Sequence, residues 1–434
     1  MHSTSTDRLV RSLRRGDLIA VVLNGVIGAG IFGLPSKVFA LAGNFSLVAF
    51  GVCGLCVWLI VLSFAEVASR FTGTGGPYLY ARVTYGPTIG FSVGWLVWIA
   101  RITAFSANLT LLPEYLGFFM PAAAAGTPRA AILTGAVALL ALLNVRGVRS
   151  AANASNALAA GKLLPLVVFI GAGLFFLSPA RFSLAGAPSY AGFSQSVMLL
   201  VYAFTGFEMA AIPAGETRSP IRDVPAALMT GMAIVVAIYI LIQAVCMGTL
   251  PDLATSHRPL ADAAARFLGT GGAAMIMAGI LISLAGNLNV LILAASRLLF
   301  AMAEQGDLPA GLARTHPRFR TPATAVIATT AIMLLLAVSG TFVYLATLST
   351  IARLATYFAT CGALPVLRRR AETPASGFRL RGGNAIAVAG MLVCAWLVSS
   401  CTLREARDGA LAAALGLAIY LAYGYAGRGR RAAK

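Results

Sequence analysis

The sequence is poor in charge, and it is poorest in acidic side chains and histidine. Charged residues make up 11% of its 434 positions, which is less than half of the roughly 25% in an average soluble domain. Only 14 residues are acidic and 3 are histidine, whereas 59% are hydrophobic, and the mean hydropathy is +0.85. This balance excludes a water-soluble enzyme and a disordered chain. The 6 cysteines all lie in apolar stretches, which argues against a disulfide-stabilised scaffold.

Long apolar runs are abundant instead. They lie near residues 18–42, 46–68, 90–119, 130–146, 156–177, 194–214, 225–249, 272–302, 323–338, 341–365, 385–402 and 409–425. Because a spanning helix needs about 20 apolar residues, about twelve spans and their loops use the whole chain. The sequence therefore predicts an all-α integral membrane protein with no sizeable soluble domain.

The formal net charge of +19 predicts an orientation in the membrane rather than a nucleic-acid partner. An even number of spans puts both termini on one side. If that side is the cytoplasm, 22 Lys and Arg residues fall in cytoplasmic segments and 7 in external ones. This bias follows the positive-inside rule. We therefore expect a multi-pass protein of a bacterial plasma (inner) membrane, with both termini cytoplasmic.

Two of the runs are interrupted by glycine. The first contains GVIGAGIFGLP at residues 25–35, and the sixth contains FTGFE at residues 204–208. The two runs occupy equivalent positions if runs one to five and six to ten are two repeats. Paired breaks of this kind are typical of ligand sites built on discontinuous helices. Tight helix packing through small residues is the alternative explanation.

Four segments, in order along the chain, resemble the amino acid permeases of the amino acid–polyamine–organocation (APC) superfamily. They are GVIGAGIFGLPS at residues 25–36, EVASRFTGTGGPYLY at 66–80, GFE at 206–208 with the following GETRSPIRDVP, and SRLLFAMAEQGDLP at 296–309. The resemblance covers nearly the whole chain but says little about the substrate. It implies a five-plus-five inverted repeat with discontinuous helices 1 and 6 and two extra C-terminal helices.

The same resemblance implies a domain organisation. Residues 1–17 are expected to form a cytoplasmic N-terminus, and residues 18–365 a ten-helix transport core with repeats at about 18–177 and 194–365. The two extra helices occupy residues 385–425, and residues 426–434 form a basic cytoplasmic tail.

The resemblance also implies where a substrate binds, through backbone groups at the two breaks. Amides after the first break hold the α-carboxylate, and carbonyls before both breaks hold the α-ammonium. The amides are those of Ala29, Gly30 and Ile31; the carbonyls are those of Val26 or Ile27 and of Tyr202, Ala203 or Thr205. Electrostatics agrees, because the N-terminus of a helix is the positive end of its dipole and the C-terminus is the negative end.

Few charged side chains fall at mid-depth in the predicted spans: Glu208, Arg101, Lys162 and Arg353. Each costs about 3 kcal/mol or more if it faces lipid, so we expect all four to face the interior of the bundle. Glu208 lies at the sixth-helix break. A permanent ion pair, with Arg101 as the first candidate partner, and a proton-linked or gating role are both open for it. Arg101 could instead bind an acidic substrate side chain or helix carbonyls.

Lys162 is a candidate coupling residue by the same resemblance. In sodium-coupled relatives of this fold, helices 1, 5 and 8 meet at a sodium site. In some sodium-independent members, a lysine of helix 5 occupies that place, and Lys162 fits it. Snorkelling to the cytoplasmic interface is the alternative.

Several uncharged side chains have two possible roles from the sequence alone. Tyr202, Phe204 and Phe207 gate or line the site, or are ordinary core aromatics. Asn108, Asn287 and Asn289 line the pocket or join helices.

Together these features predict a secondary active transporter for amino acids, not an enzyme. We expect it to be sodium-independent and to work by proton symport or exchange with alternating access. A polyamine or organic-cation antiporter and a nutrient sensor with a transporter fold are the alternatives, although one mid-membrane acid against three bases disfavours polycations.

No cofactor or metal is expected. Residues 28–33 match GxGxxG, but no strand precedes them, and the predicted spans contain no histidine. The expected partners are an amino acid and the lipid bilayer; a homodimer stays open.

Overall fold

The computed structural model describes residues 13–72, 76–146, 149–184, 186–319, 321–370 and 377–432. Arg8, Arg11, Arg320 and Lys434, which contribute to the predicted cytoplasmic charge, lie outside these ranges. Within them the secondary structure is helical, with fourteen α-helices and seven short 3-10 segments. This confirms the predicted all-α class.

The first half of the molecule contains seven α-helices. They are α1 (Arg15–Val26), α2 (Ala29–Ala42), α3 (Ser46–Ala68), α4 (Pro77–Tyr85), α5 (Pro87–Leu116), α6 (Gly126–Arg146) and α7 (Arg149–Gly173). The first apolar run of the sequence is thus divided into α1 and α2, as its glycines indicate. Helix α4 lies between the second and third predicted spans, where the sequence analysis predicted no helix.

The second half also begins with a divided helix. Its elements are α8 (Tyr190–Phe204), the 3-10 segment Phe207–Glu216, α9 (Pro220–Thr249), α10 (Pro259–Glu304), α11 (Ala323–Ser339) and α12 (Phe342–Arg369). Helix α10 begins well before the predicted eighth run. Gly269, with φ +67°, joins its N-terminal part to the long apolar part.

The two halves pack against each other element by element. Helices α1 and α2 lie against the 3-10 segment and α8, respectively. Helix α3 packs on α9, α5 on α10, and α6 on α11. Such pairs are expected if the two halves are repeats of one unit, although α5 also packs on α12, and α7 packs on α10.

The chain ends in α13 (Gly383–Ser399) and α14 (Leu403–Ala432), whose axes differ in direction by 118°. The two correspond to the two predicted C-terminal helices. Among the described residues, six helices are long and apolar enough to cross a membrane, or seven if this bent pair is one span. Other predicted spans are divided or short, because α1 and α8 end at breaks, α2 begins at one, and α11 has only 17 residues.

Candidate functional site

The two helix breaks meet at the centre of the bundle, and glycine makes the meeting possible. Gly206 has φ +112° and lies between α8 and the 3-10 segment. A Cβ atom there would lie 2.2 Å from the carbonyl oxygen of Gly25. Only a residue without a side chain fits both the positive φ and this backbone contact. At the other break, Ile27 and Gly28 leave the helical conformation, with ψ of 84° and −158°.

Gly30 serves packing as well as the site. A Cβ atom at Gly30 would lie 2.9 Å from the Cα of Ala203, so α2 and α8 touch backbone to backbone. Tight packing through small residues is therefore present at the first break together with a cavity. A larger side chain at Gly30 would separate the two helices whatever it did to a ligand.

A cavity lies where the breaks meet. The residues lining it come from α1, α2, α5, α8, the two breaks, the 3-10 segment, α10 and α12. They are Gly25, Val26, Gly28, Gly30, Ala104, Asn108, Tyr202, Thr205, Met209, Asn287, Leu291 and Arg353. Among the predicted substrate residues, Val26, Gly30, Tyr202 and Thr205 are in this set.

The start of α2 offers amide donors to this cavity. Its N-cap residue, Gly28, has no side chain to cap the helix, and its own amide donates to the carbonyl oxygen of Val26 at 2.8 Å. The first amides of a helix have no partner within the helix. Those of Ala29, Gly30 and Ile31 therefore form the positive end of the α2 dipole next to the cavity.

The carbonyls at the breaks are held in place by side chains of other helices. The Lys162 ammonium, which is 6% exposed, donates to the carbonyl oxygens of Asn24 at 3.0 Å and Ile27 at 2.8 Å. The Tyr239 hydroxyl lies 2.8 Å from the carbonyl oxygen of Val26 and 3.1 Å from that of Ala203. Lys162 thus joins α7 to the end of α1 instead of reaching the cytoplasmic interface.

Two of the three predicted amides line the cavity. Asn108 on α5 donates from Nδ2 to Oδ1 of Asn287 on α10 at 2.7 Å, and its own Oδ1 accepts a hydrogen bond from the Tyr202 hydroxyl. These contacts join three helices around the cavity. Asn289 lies elsewhere, where its Oδ1 accepts from Asn144 at 2.8 Å and joins α10 to α6.

Glu208 forms an ion pair, but its partner differs from the first candidate. Its Oε1 accepts from Nη1 of Arg353 on α12, and the pair is buried. Its Oε2 accepts from the Tyr357 hydroxyl at 2.9 Å and from the Gly206 amide at 3.0 Å. The pairing with Arg101 is therefore wrong for this conformation.

Arg101 lies outside the first cavity. Its Nη1 donates to the carbonyl oxygen of Ala294 on α10 at 3.1 Å, which is one of the alternatives left open for it. Together with Glu208 and Arg353 it lines a second, smaller cavity. Arg101, Lys162, Arg353 and Glu208 are all at most 6% exposed, as expected for charges that avoid lipid.

The remaining predicted residues have side chains that lie in packed surroundings. Phe207 is fully buried and its ring centroid lies 5.3 Å from that of Phe64 and 5.2 Å from that of Tyr357. Phe204 lies 5.0 Å from the Tyr239 ring. Neither lines the first cavity, and neither do the buried side chains of Ile27, Ile31 and Ala203.

Apart from Gly25 and Gly28 of the first break, the sequence analysis did not name four residues as lining the cavity: Ala104, Met209, Leu291 and Arg353. Three of them are apolar residues within apolar runs, where nothing in the pattern separates a pocket wall from the core. Arg353 did carry a signal, as a mid-depth cation, but its place at the site depends on the rotation of α12.

Two discontinuous helices that cross at a central cavity are the expected core of a transporter. The model of the amino acid permease family matches residues 15–403. The chain belongs to the amino acid permease family. It is therefore a multi-pass membrane transport protein by family.

Named relatives of the permease differ in what they carry. It is 27% identical to the methylthioribose transporter of Bacillus subtilis, over 90% of this chain and 88% of that protein. It is 30% identical to the serine/threonine exchanger SteT of B. subtilis, over 73% of this chain and 75% of that protein. It is 31% identical to the arginine/ornithine antiporter of Pseudomonas aeruginosa, over 73% of this chain and 68% of that protein.

Two polar clusters join elements of the permease at the end predicted to be cytoplasmic. Glu66, at the end of α3, accepts two hydrogen bonds from Arg368 of α12, at 2.7 and 2.6 Å, and one from the amide of Leu380 at 2.9 Å. Arg82 of α4 pairs with Asp307 at 3.5 Å. Burial raises the pKa of the Asp307 carboxyl, and Arg82 opposes that shift.

Proposed function

We propose that this permease carries amino acids across a bacterial plasma membrane without sodium, by exchange or proton symport. The observation that carries the proposal is the contact of the Lys162 ammonium with the carbonyl oxygens of Asn24 and Ile27, at 3.0 and 2.8 Å. A sodium ion at this place would need the same carbonyl oxygens and would be repelled by the ammonium.

The arrangement of the first cavity supports an amino acid as the substrate. The amides at the start of α2 suit a carboxylate. The carbonyl oxygen of Ala203, which lies 3.1 Å from the Tyr239 hydroxyl, keeps a lone pair that suits an ammonium group, whereas that of Val26 already accepts from the Gly28 amide and lies against the same hydroxyl. The two main-chain charges of an amino acid thus find partners in the backbone, and the side chain lies toward Asn108 and Asn287.

Two of the named relatives are an exchanger and an antiporter, and these names support exchange. Proton symport stays open because Lys162 is a titratable group held by the broken helix. For either ion or substrate to drive the cycle, its affinity must differ between the outward- and inward-facing states.

Uptake by purified protein in liposomes tests the proposal. Radiolabelled amino acids should accumulate or exchange equally with and without a sodium gradient, after a thermal-shift screen of the twenty amino acids and common polyamines has identified a substrate. Lys162→Ala should slow transport about tenfold or more and weaken its pH dependence, while binding in the screen changes less. Lys37→Ala, which removes a lysine of α2 that lies outside the cavity, is the matched control.

Each other outcome has a definite meaning. Strict sodium dependence, or an unchanged rate and pH response in Lys162→Ala, would overturn the coupling proposal. Binding of an amino acid without uptake or exchange would favour a sensor, and uptake restricted to polyamines would favour the cation antiporter.

A further inference from the structure

The second cavity lies next to the first and is divided from it by Arg353. Arg353 is the one residue that lines both cavities. On α5, the second cavity is lined by Val97, Ala100 and Arg101, whereas the first is lined by Ala104 and Asn108. The second cavity is therefore nearer to Pro87, at the end of α5 predicted to be cytoplasmic.

The charges that line this second cavity do not balance. Arg101 and Arg353 are cations, Glu208 is an anion, and the other residues of the lining are uncharged. Glu208 already accepts from Arg353, Tyr357 and the Gly206 amide. One positive charge, that of Arg101, is therefore left without an anion in the lining, at 5% exposure.

Hydrogen-bond donors are also in excess there. Arg101 has five N–H groups, and its hydrogen bond within the described structure goes to the carbonyl oxygen of Ala294. The Nε of Arg353 is buried and has no hydrogen-bond partner among the described residues. A buried donor without an acceptor destabilises the protein, and a charged one does so more strongly.

We propose that the second cavity binds a small monovalent anion, a halide or a carboxylate group, through Arg101. Such an anion would neutralise the excess charge and accept the free guanidinium hydrogens. The cavity is small, so only a small ion fits beside Arg101 and Arg353. In a transport cycle this site would be the next place for a substrate carboxylate that leaves the first cavity once the Arg353–Glu208 pair opens.

Thermal unfolding of the purified protein, with no amino acid present, tests this site separately from the proposed substrate. The protein is exchanged into a buffer whose only anion is HEPES. Chloride and formate are then titrated in separate experiments at constant ionic strength. The melting temperature should rise and saturate with at least one of them, and the one that acts identifies a halide or a carboxylate source.

Arg101→Gln should abolish the dependence of the melting temperature on the anion, or raise the midpoint concentration at least tenfold. Arg101→Lys should keep the dependence, with a higher midpoint concentration than the wild type. Arg297→Gln, which removes an exposed arginine of α10 outside both cavities, should behave like the wild type. If Arg101→Gln does not fold, saturable binding of ³⁶Cl⁻ to the wild type that is weakened in Arg101→Lys but not in Arg297→Gln tests the same site. An unsaturable response in the wild type, or the same midpoint in Arg101→Gln, overturns the proposal.

Discussion

Glu208 joins two elements that are far apart in the sequence. It is separated from Arg353 by 145 residues and binds Arg353 and Tyr357 of α12 as well as the Gly206 amide at its own break. The carboxylate therefore ties the 3-10 segment to α12 along the boundary of the two cavities. In the transport cycle proposed above, a substrate carboxylate passes from one cavity to the other only when this tie opens.

Replacing one member of the Glu208–Arg353 pair should destabilise the protein strongly, because the other charge stays buried without its partner. Glu208→Gln or Arg353→Gln strands one buried charge and should each cost about 3–5 kcal/mol of unfolding free energy, whereas the double variant should cost clearly less than the sum. Denaturant titration in detergent measures the coupling. The control cycle, Arg101→Gln with Glu208→Gln, should show weaker coupling, since Arg101 donates to Ala294 instead. Equal coupling in the two cycles would contradict the assignment.

At the scale of elements, the crossing of the two divided helices is fixed by glycine contacts. Gly206→Ala would place Cβ 2.2 Å from the Gly25 carbonyl oxygen at φ +112°. Strain of this kind costs about 1–3 kcal/mol before the clash is counted. We expect a marked loss of melting temperature, substrate affinity and yield. Gly51→Ala in α3, where no atom lies within 4 Å, is the matched control and should be neutral or stabilising by up to about 1 kcal/mol. Equal stability of the two variants would refute the role of Gly206.

For the whole molecule, orientation in the membrane is the property to test. The excess of Arg and Lys in alternate loops predicts that residue 255 is external and residue 314 cytoplasmic. In a variant that lacks the six cysteines, Thr255→Cys should react with an impermeant maleimide in intact cells. Arg314→Cys should react only after the cells are permeabilised, and its labelling then confirms that the site is accessible. The reverse pattern would invert the predicted topology.

The sequence by itself determined the class of the protein, the approximate helices, both breaks and the inward orientation of the mid-depth charges. These properties depend on local composition: a run of apolar residues, a glycine in it, or a charge that cannot face lipid acts in the same way wherever the helix packs. Lys162 was identified as a candidate coupling residue from its place in the fifth run together with the family resemblance.

Only the tertiary structure decided which groups meet. Arg101 and Arg353 are both mid-depth cations, and nothing local says which one faces Glu208. The answer depends on how α5 and α12 are rotated about their axes and where they cross the 3-10 segment. The join of Asn108 to Asn287, the division of the cavity by Arg353 and the packing role of Phe207 depend on the same long-range geometry. A helical period gives the face of a helix, but the neighbour of that face is set by the packing of the whole bundle.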